Sequence, residues 1–116
     1  MDFITRLLTG KPVNSISAVE AEKKISQQQK PFLLDVRQPE EFRSGHIAGA
    51  KLIPLGELQA RMNELPKDRE IIVVCQSGSR SMSATRLLSG AGYNVINLTG
   101  GMIAWSRSNL PVSKGK

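Results

Sequence analysis

Short, uninterrupted apolar runs alternate along this chain with segments whose apolar residues recur at helical spacing. Four runs indicate strands: PFLLDV, AKLIPL, NVINL and, the strongest of them, EIIVVC. Strands that are apolar on both faces are expected where helices cover both sides of a parallel sheet. The alternation therefore predicts an α/β fold with a mostly parallel sheet.

Helical segments separate these runs. The first is predicted over about residues 18–27, because Ser17 and Glu20 have the spacing of a capping box. QPEEF is predicted to be a short helical turn with Pro39 near its start. The other helices are predicted in GELQARMNEL, SMSATRLLSGAG and MIAWSRSN.

The chain length of 116 residues is typical of one domain, which we place at residues 14–112. Residues 1–13 are predicted to be an N-terminal extension, and residues 113–116 a flexible tail. Within the extension, apolar residues fall on one face of a short amphipathic helix. No apolar run approaches the length of about 20 residues that a membrane span needs. The residues on the amphipathic face are Phe3, Ile4, Leu7 and Leu8.

Charge and cysteine content narrow the class of protein. The net charge is +6, but the basic residues are scattered and aromatic residues make up only 4%, which argues against nucleic-acid binding. The single cysteine, Cys75, excludes an internal disulfide and favours a reducing, cytoplasmic setting. One cysteine and one histidine, His46, are too few for a structural zinc site. We predict no metal and no cofactor.

Cys75 stands where the strongest strand run ends, and the segment that follows it is small and polar. Gly78 allows a sharp turn, whose backbone N–H groups can form an anion-binding nest at the start of the next helix. Such a nest would stabilise a thiolate. Asp35 ends another strand run and is expected at the same edge of the sheet. A buried, purely structural cysteine remains the alternative.

Three motifs carry a family resemblance. CQSGSRS resembles the active-site loop of the rhodanese-like sulfurtransferases, C-x-x-G-x-R-[ST]. DVRQPEEFRSGHIAGA at 35–50 resembles that family's N-terminal signature, and VINLTGGMIAW at 95–105 its C-terminal signature. The motifs occur in the family's order, and the resemblance covers about residues 14–111. The chain is thus similar to a single-domain rhodanese.

The resemblance implies a five-stranded, mostly parallel sheet flanked by helices on both faces. It also implies that Cys75 takes a sulfane sulfur from a donor such as thiosulfate or a persulfide and passes it to a thiol or cyanide. A protein could also serve as donor or acceptor. Arg80 either binds an anionic donor or fixes the loop through a salt bridge. The residues expected to bind the substrate are Gln76, Ser77, Gly78, Ser79 and Arg80.

Neutral Gln76 departs from family members that have a basic residue after the cysteine, and this argues against efficient use of thiosulfate. Asp35, Arg37 and His46 are expected to be structural. Related phosphatases and arsenate reductases have five residues between cysteine and arginine, whereas four intervene here. A binding module without catalysis is the second alternative, but catalytically silent relatives commonly lack the thiol.

Overall fold

A computed structural model describes residues 13–115 of the protein. The amphipathic helix predicted near the N-terminus rests on residues that lie outside this range. No helix within the described range is long and apolar enough to cross a membrane.

Within residues 13–115, five parallel strands form one sheet, which confirms the predicted fold class. The spatial order of the strands is β1-β5-β4-β2-β3, and every neighbouring pair is parallel. The strands are β1 (Ser15–Ile16), β2 (Phe32–Asp35), β3 (Lys51–Leu52), β4 (Ile71–Val74) and β5 (Val95–Leu98).

Strand β4 lies at the centre of the sheet, and all four of its residues are buried. Ile71 and Val73 pack into one apolar cluster, whereas Ile72 and Val74 pack into a second cluster on the opposite face. An apolar side chain at every position is therefore needed, because successive residues of a strand point to opposite sides.

Of the five α-helices within residues 13–115, four cover the two faces of the sheet. Helices α3 and α4 contribute to the cluster that contains Ile71, and α1 and α5 to the cluster that contains Ile72. The helices are α1 (Ala18–Ile25), α2 (Pro39–Ser44), α3 (Leu55–Arg61), α4 (Ser79–Gly90) and α5 (Gly101–Arg107), and a 3-10 turn (Met62–Glu64) follows α3.

Local signals explain where several of these helices begin and end. Ser17 caps α1 by accepting the Glu20 N–H at 3.2 Å, as its spacing predicted. Pro39 opens α2, where its missing N–H costs no helical hydrogen bond. Leu65 is extended, with ψ of 144°, because the following Pro66 disfavours helical backbone there.

Backbone hydrogen bonds link residues 113–115 to the segment around His46. Ser113 and His46 exchange two backbone hydrogen bonds of 2.8 Å, and the Gly115 N–H donates to the Arg43 carbonyl at 2.9 Å. The Trp105 indole also donates to the Pro111 carbonyl at 2.8 Å. Residues 113–115 therefore pair with the segment that follows α2.

Candidate active site

Cys75 directly follows β4 at the carboxyl edge of the sheet, and the loop from Cys75 to Arg80, here called the cysteine loop, leads into α4. Gly78 turns the chain with φ of 107°, in the left-handed region that favours glycine. A Cβ at this position would also lie 3.1 Å from the Gly100 nitrogen. The glycine is therefore required both by the turn and by the close approach of the neighbouring loop.

The first turn of α5 holds the cysteine loop from the other side. The Met102 and Ile103 N–H groups donate to the carbonyls of Cys75 and Gln76 at 2.8 and 3.0 Å. A Cβ on Gly101 would lie 2.3 Å from the Cys75 carbonyl oxygen, so only glycine fits there. Because the carbonyl and the N–H of one trans peptide point in opposite directions, the N–H groups of Gln76 and Ser77 point away from α5.

The Cys75 sulfur is fully buried and has two polar neighbours. The Gly78 N–H donates to Sγ at 3.0 Å, and the Cys75 thiol donates to Ser81 Oγ at 3.3 Å. Gly78 supplies the one backbone N–H that bonds Sγ within residues 13–115. At Sγ, the predicted anion-binding nest therefore consists of one backbone N–H donor and one hydroxyl.

Ser81 links the sulfur to β5. Its hydroxyl lies within hydrogen-bond distance of the Gly78 carbonyl, at 3.0 Å, and forms a hydrogen bond with Asn97 Oδ1. Ser81 and Asn97 are both buried. Sequence reasoning did not assign Asn97 a role, although a polar residue inside the NVINL strand is a signal that a buried partner exists.

Arg80 is paired with a carboxylate from α2. Its Nη1 and Nη2 donate to Glu41 Oε1 and Oε2 at 2.7 and 2.8 Å. The hydrogen bonds from Arg80 are the main reason that the pKa of Glu41 is lowered to about 2. The same pairing raises the pKa of Arg80, with a smaller contribution from the nearby Cys75. The guanidinium therefore fixes the cysteine loop to α2.

A second arginine holds the other end of the loop. Arg37 Nε and Nη2 donate to Asp35 Oδ1 and Oδ2 at 3.0 and 2.9 Å. Arg37 Nη1 also donates to Gln76 Oε1 at 3.1 Å, and Nη2 to the Gly45 carbonyl at 2.7 Å. Arg37 and Asp35 are both almost fully buried, so the pair acts as a support for the Gln76 side chain.

The remaining predicted residues lie at different depths. His46 is buried, its Nδ1–H donates to the Phe42 carbonyl at 2.7 Å, and its ring stacks on Phe42 with centroids 3.7 Å apart. Since a carbonyl only accepts, Nδ1 carries the proton. This arrangement is that of a structural histidine. Ser77 and Ser79 are exposed on the cysteine loop.

A cleft of about 400 Å³ lies beside the cysteine loop, and we call it the side cleft. Gln76 forms part of its wall, whereas Cys75 is covered by its surroundings. A small molecule could therefore approach the loop at this cleft, but contact with the sulfur requires the groups that cover it to move. The lining residues are Arg37, Glu41, Ser44, Gly45, Gln76, Met102, Ser106 and Val112.

Comparisons with known proteins concern the family and the fold of this chain. Residues 17–108 match the family model of the rhodanese-like domain. A sulfurtransferase from Allochromatium vinosum is 39% identical over 101 residues, which cover 86% of this chain and 94% of that protein.

Solved structures give the same result. A rhodanese-related protein from Thermoplasma volcanium has a TM-score of 0.83 at 33% identity, covering 88% of this chain and 99% of that chain. A thiosulfate sulfurtransferase from Pseudomonas aeruginosa has a TM-score of 0.82 at 29% identity, covering 90% of this chain and 21% of that chain. The part of the Pseudomonas chain that shares this architecture is about a fifth of its length.

Proposed function

The chain belongs to the rhodanese-like sulfurtransferase family, and on this premise we propose that it carries sulfane sulfur between donor and acceptor as a persulfide on Cys75. The observation that supports this role most directly is the environment of Sγ, which accepts the Gly78 N–H and contacts the Ser81 hydroxyl. A purely apolar pocket would suit a structural cysteine, whereas a backbone N–H donor and a hydroxyl beside Sγ suit a sulfur that becomes negative.

In the proposed first half-reaction, the Cys75 thiolate attacks the outer sulfur of the donor. A new S–S bond forms on Cys75, and the S–S bond within the donor breaks. The leaving group departs with the electron pair, as sulfite from thiosulfate or as a thiolate from an alkyl persulfide. No external oxidant or reductant is needed, because the sulfane sulfur is transferred at its existing oxidation level.

In the second half-reaction, an acceptor attacks the outer sulfur of the Cys75 persulfide. A thiolate acceptor becomes a persulfide, and cyanide becomes thiocyanate, while the electron pair of the broken S–S bond returns to Cys75. We propose that the N–H groups of Gln76 and Ser77, which point away from α5, stabilise the outer sulfur between the two steps. The acceptor could be a small thiol or a protein, in the reducing, cytoplasmic setting that a single cysteine favours.

The test is the intact mass of the protein after exposure to thiosulfate and, separately, to cysteine persulfide. Wild-type protein should gain the mass of one sulfur and lose it again when cyanide or a thiol is added. The control is Cys75→Ser, which removes the only thiol in the chain and should leave the fold unchanged. Substantial thiosulfate-to-cyanide transfer by folded Cys75→Ser protein would exclude this mechanism.

A further inference from the structure

We propose that Glu41 determines which sulfur donors the protein uses, because it occupies Arg80 and so disfavours dianionic thiosulfate relative to alkyl persulfides. This inference rests on the proposed sulfurtransferase function and concerns the donor class at the same site.

Glu41 is held in place by three hydrogen bonds. Besides the two from Arg80, its Oε1 accepts the Gln38 N–H at 3.0 Å. This contact belongs to the capping box at the start of α2, where Pro39 fixes the backbone. The carboxylate is therefore anchored on a rigid element and does not depend on Arg80 for its position.

The charges that line the side cleft are also neutralised. Arg37 and Glu41 are the charged residues among those that line the side cleft in the described part of the chain. Arg37 is paired with Asp35, and Glu41 with Arg80. The residue next to Cys75 is the neutral Gln76. The two ion pairs contain two positive and two negative charges, so the side cleft offers no net positive charge to a donor, whereas Arg107 lies at a separate cleft beside Ser77.

The two donor classes differ in the charge that this region must accommodate. Thiosulfate brings two negative charges and releases sulfite, which also carries two. An alkyl persulfide releases a thiolate with one charge on the leaving sulfur. A guanidinium freed from its carboxylate could donate two parallel hydrogen bonds to the sulfonate oxygens of thiosulfate. Removing the charge of Glu41 should therefore help thiosulfate more than it helps a persulfide.

The experiment compares kcat/KM for thiosulfate and for cysteine persulfide, with the same thiol as acceptor. Glu41→Gln should raise the thiosulfate-to-persulfide ratio by about tenfold, as expected for one new charge-assisted contact. The matched control is Glu40→Gln, which removes the same charge from an exposed neighbour on α2. It should change the ratio by less than about twofold, because an exposed charge is screened by salt.

A double variant separates a freed Arg80 from a general change in charge. Glu41→Gln combined with Arg80→Gln should lose the thiosulfate gain, because no guanidinium remains to bind the sulfonate group. An equal gain in the single and double variants would contradict the proposal, and so would an unchanged ratio in folded Glu41→Gln protein. Wild-type protein provides a test that needs no variant, because a kcat/KM for thiosulfate as high as that for cysteine persulfide would also overturn it.

Failure of the donor proposal can be distinguished from failure of the sulfurtransferase assignment. If neither donor loads sulfur onto Cys75, the assignment fails, and the charge effect can still be measured by alkylation of the single thiol. The rate ratio of anionic iodoacetate to neutral iodoacetamide should rise in Glu41→Gln and stay level in Glu40→Gln. If sulfur loads normally while both ratios are unchanged in Glu41→Gln, the assignment stands and the role of Glu41 is refuted.

Discussion

The Ser81 hydroxyl has one proton and several acceptors around it. The Gly78 carbonyl and Asn97 Oδ1 both lie within hydrogen-bond distance, and the Cys75 sulfur becomes a third acceptor once it is a thiolate. While Cys75 is a thiol, its S–H donates to Ser81 and the hydroxyl proton is free to bond to Asn97 or Gly78. We infer that the hydroxyl turns toward sulfur when the charge forms.

Ser81→Ala should therefore slow sulfur loading by about 10- to 100-fold, the usual effect of losing a hydrogen bond to a charged group. The rate can be measured by single-turnover mass analysis with cysteine persulfide as donor. Ser83→Ala is the matched control, because Ser83 is exposed on the same helix. A lower melting temperature with an unchanged loading rate in Ser81→Ala would show that the serine is only structural.

At the scale of elements, the cysteine loop connects β4 to α4 and is held by two other elements. The N–H groups of α5 bond to its first two carbonyls, and Glu41 on α2 bonds to Arg80 at its end. These contacts fix both ends of the loop, so its length decides the space around the sulfur. Four residues separate Cys75 from Arg80.

Inserting one glycine after Gly78 should therefore abolish sulfur transfer, because the added residue displaces the Gly78 N–H from its 3.0 Å contact with Sγ. A phosphoryl group brings several oxygens, each needing a donor at about 2.9 Å, so the unaltered loop should give no hydrolysis of an aryl phosphate. The widened loop is the variant in which weak hydrolysis would be expected. A glycine inserted after exposed Asp68 controls for the effect of an insertion.

Sulfur transfer and aryl phosphate hydrolysis would be measured on the same preparations of wild-type protein and of the two insertion variants. Robust aryl phosphate turnover by wild-type protein, with no sulfur added to Cys75, would overturn both the loop-length hypothesis and the sulfurtransferase assignment.

The elements that sequence predicted well are those with a local signal. EIIVVC predicted β4 because four apolar residues in a row suit a central strand, and the start of α1 followed from its cap. The apolar pattern of the sequence did not predict strand β1, because this strand is only two residues long and only Ile16 is buried. Its existence depends on pairing with β5, which is distant in sequence.

The residues of the candidate site also divide into those with a local sequence signal and those without one. Cys75 and Gly78 could be predicted, because the turn and the sulfur lie within one short segment. The partner of Arg80 could not be predicted from the sequence, because Glu41 is 39 residues away and only the fold brings the two residues together. Asn97 on β5 contacts Ser81 on α4, and this contact also depends on the fold. Spacing along the chain indicates turns and caps, whereas pairing between elements depends on how they pack.

At the scale of the whole molecule, the sheet separates two apolar clusters, and α2 lies at the carboxyl edge of the sheet. The Glu41–Arg80 pair ties α2 to α4 across this edge. Phe42 on α2 is buried and stacks on His46, which in turn pairs with Ser113. The carboxyl edge is thus held by polar links, so its contribution to stability should depend on pH.

The pKa of Glu41 is about 2 in the folded protein, below its ordinary value of 4.5. A lowered carboxyl pKa stabilises the fold above about pH 4.5, and this contribution is lost as pH falls from about 4.5 to 2. The pair is about one-third exposed, so we expect its contribution at neutral pH to be about 1 kcal/mol. The free energy of unfolding of wild-type protein should exceed that of Glu41→Gln by this amount at pH 7. The difference in free energy should vanish near pH 2.

The measurement is the free energy of unfolding in urea, for both proteins, at a series of pH values. The difference between them is the informative quantity, because the pKa of Glu64 is also lowered to about 2, mainly by its hydrogen bond from Arg61. That contribution is present in both proteins and cancels in the difference. Glu40→Gln controls for the loss of one negative charge from α2. A wild-type advantage over Glu41→Gln that stayed constant from pH 7 to 2 would mean that the ion pair does not stabilise the fold, because a protonated Glu41 cannot form it.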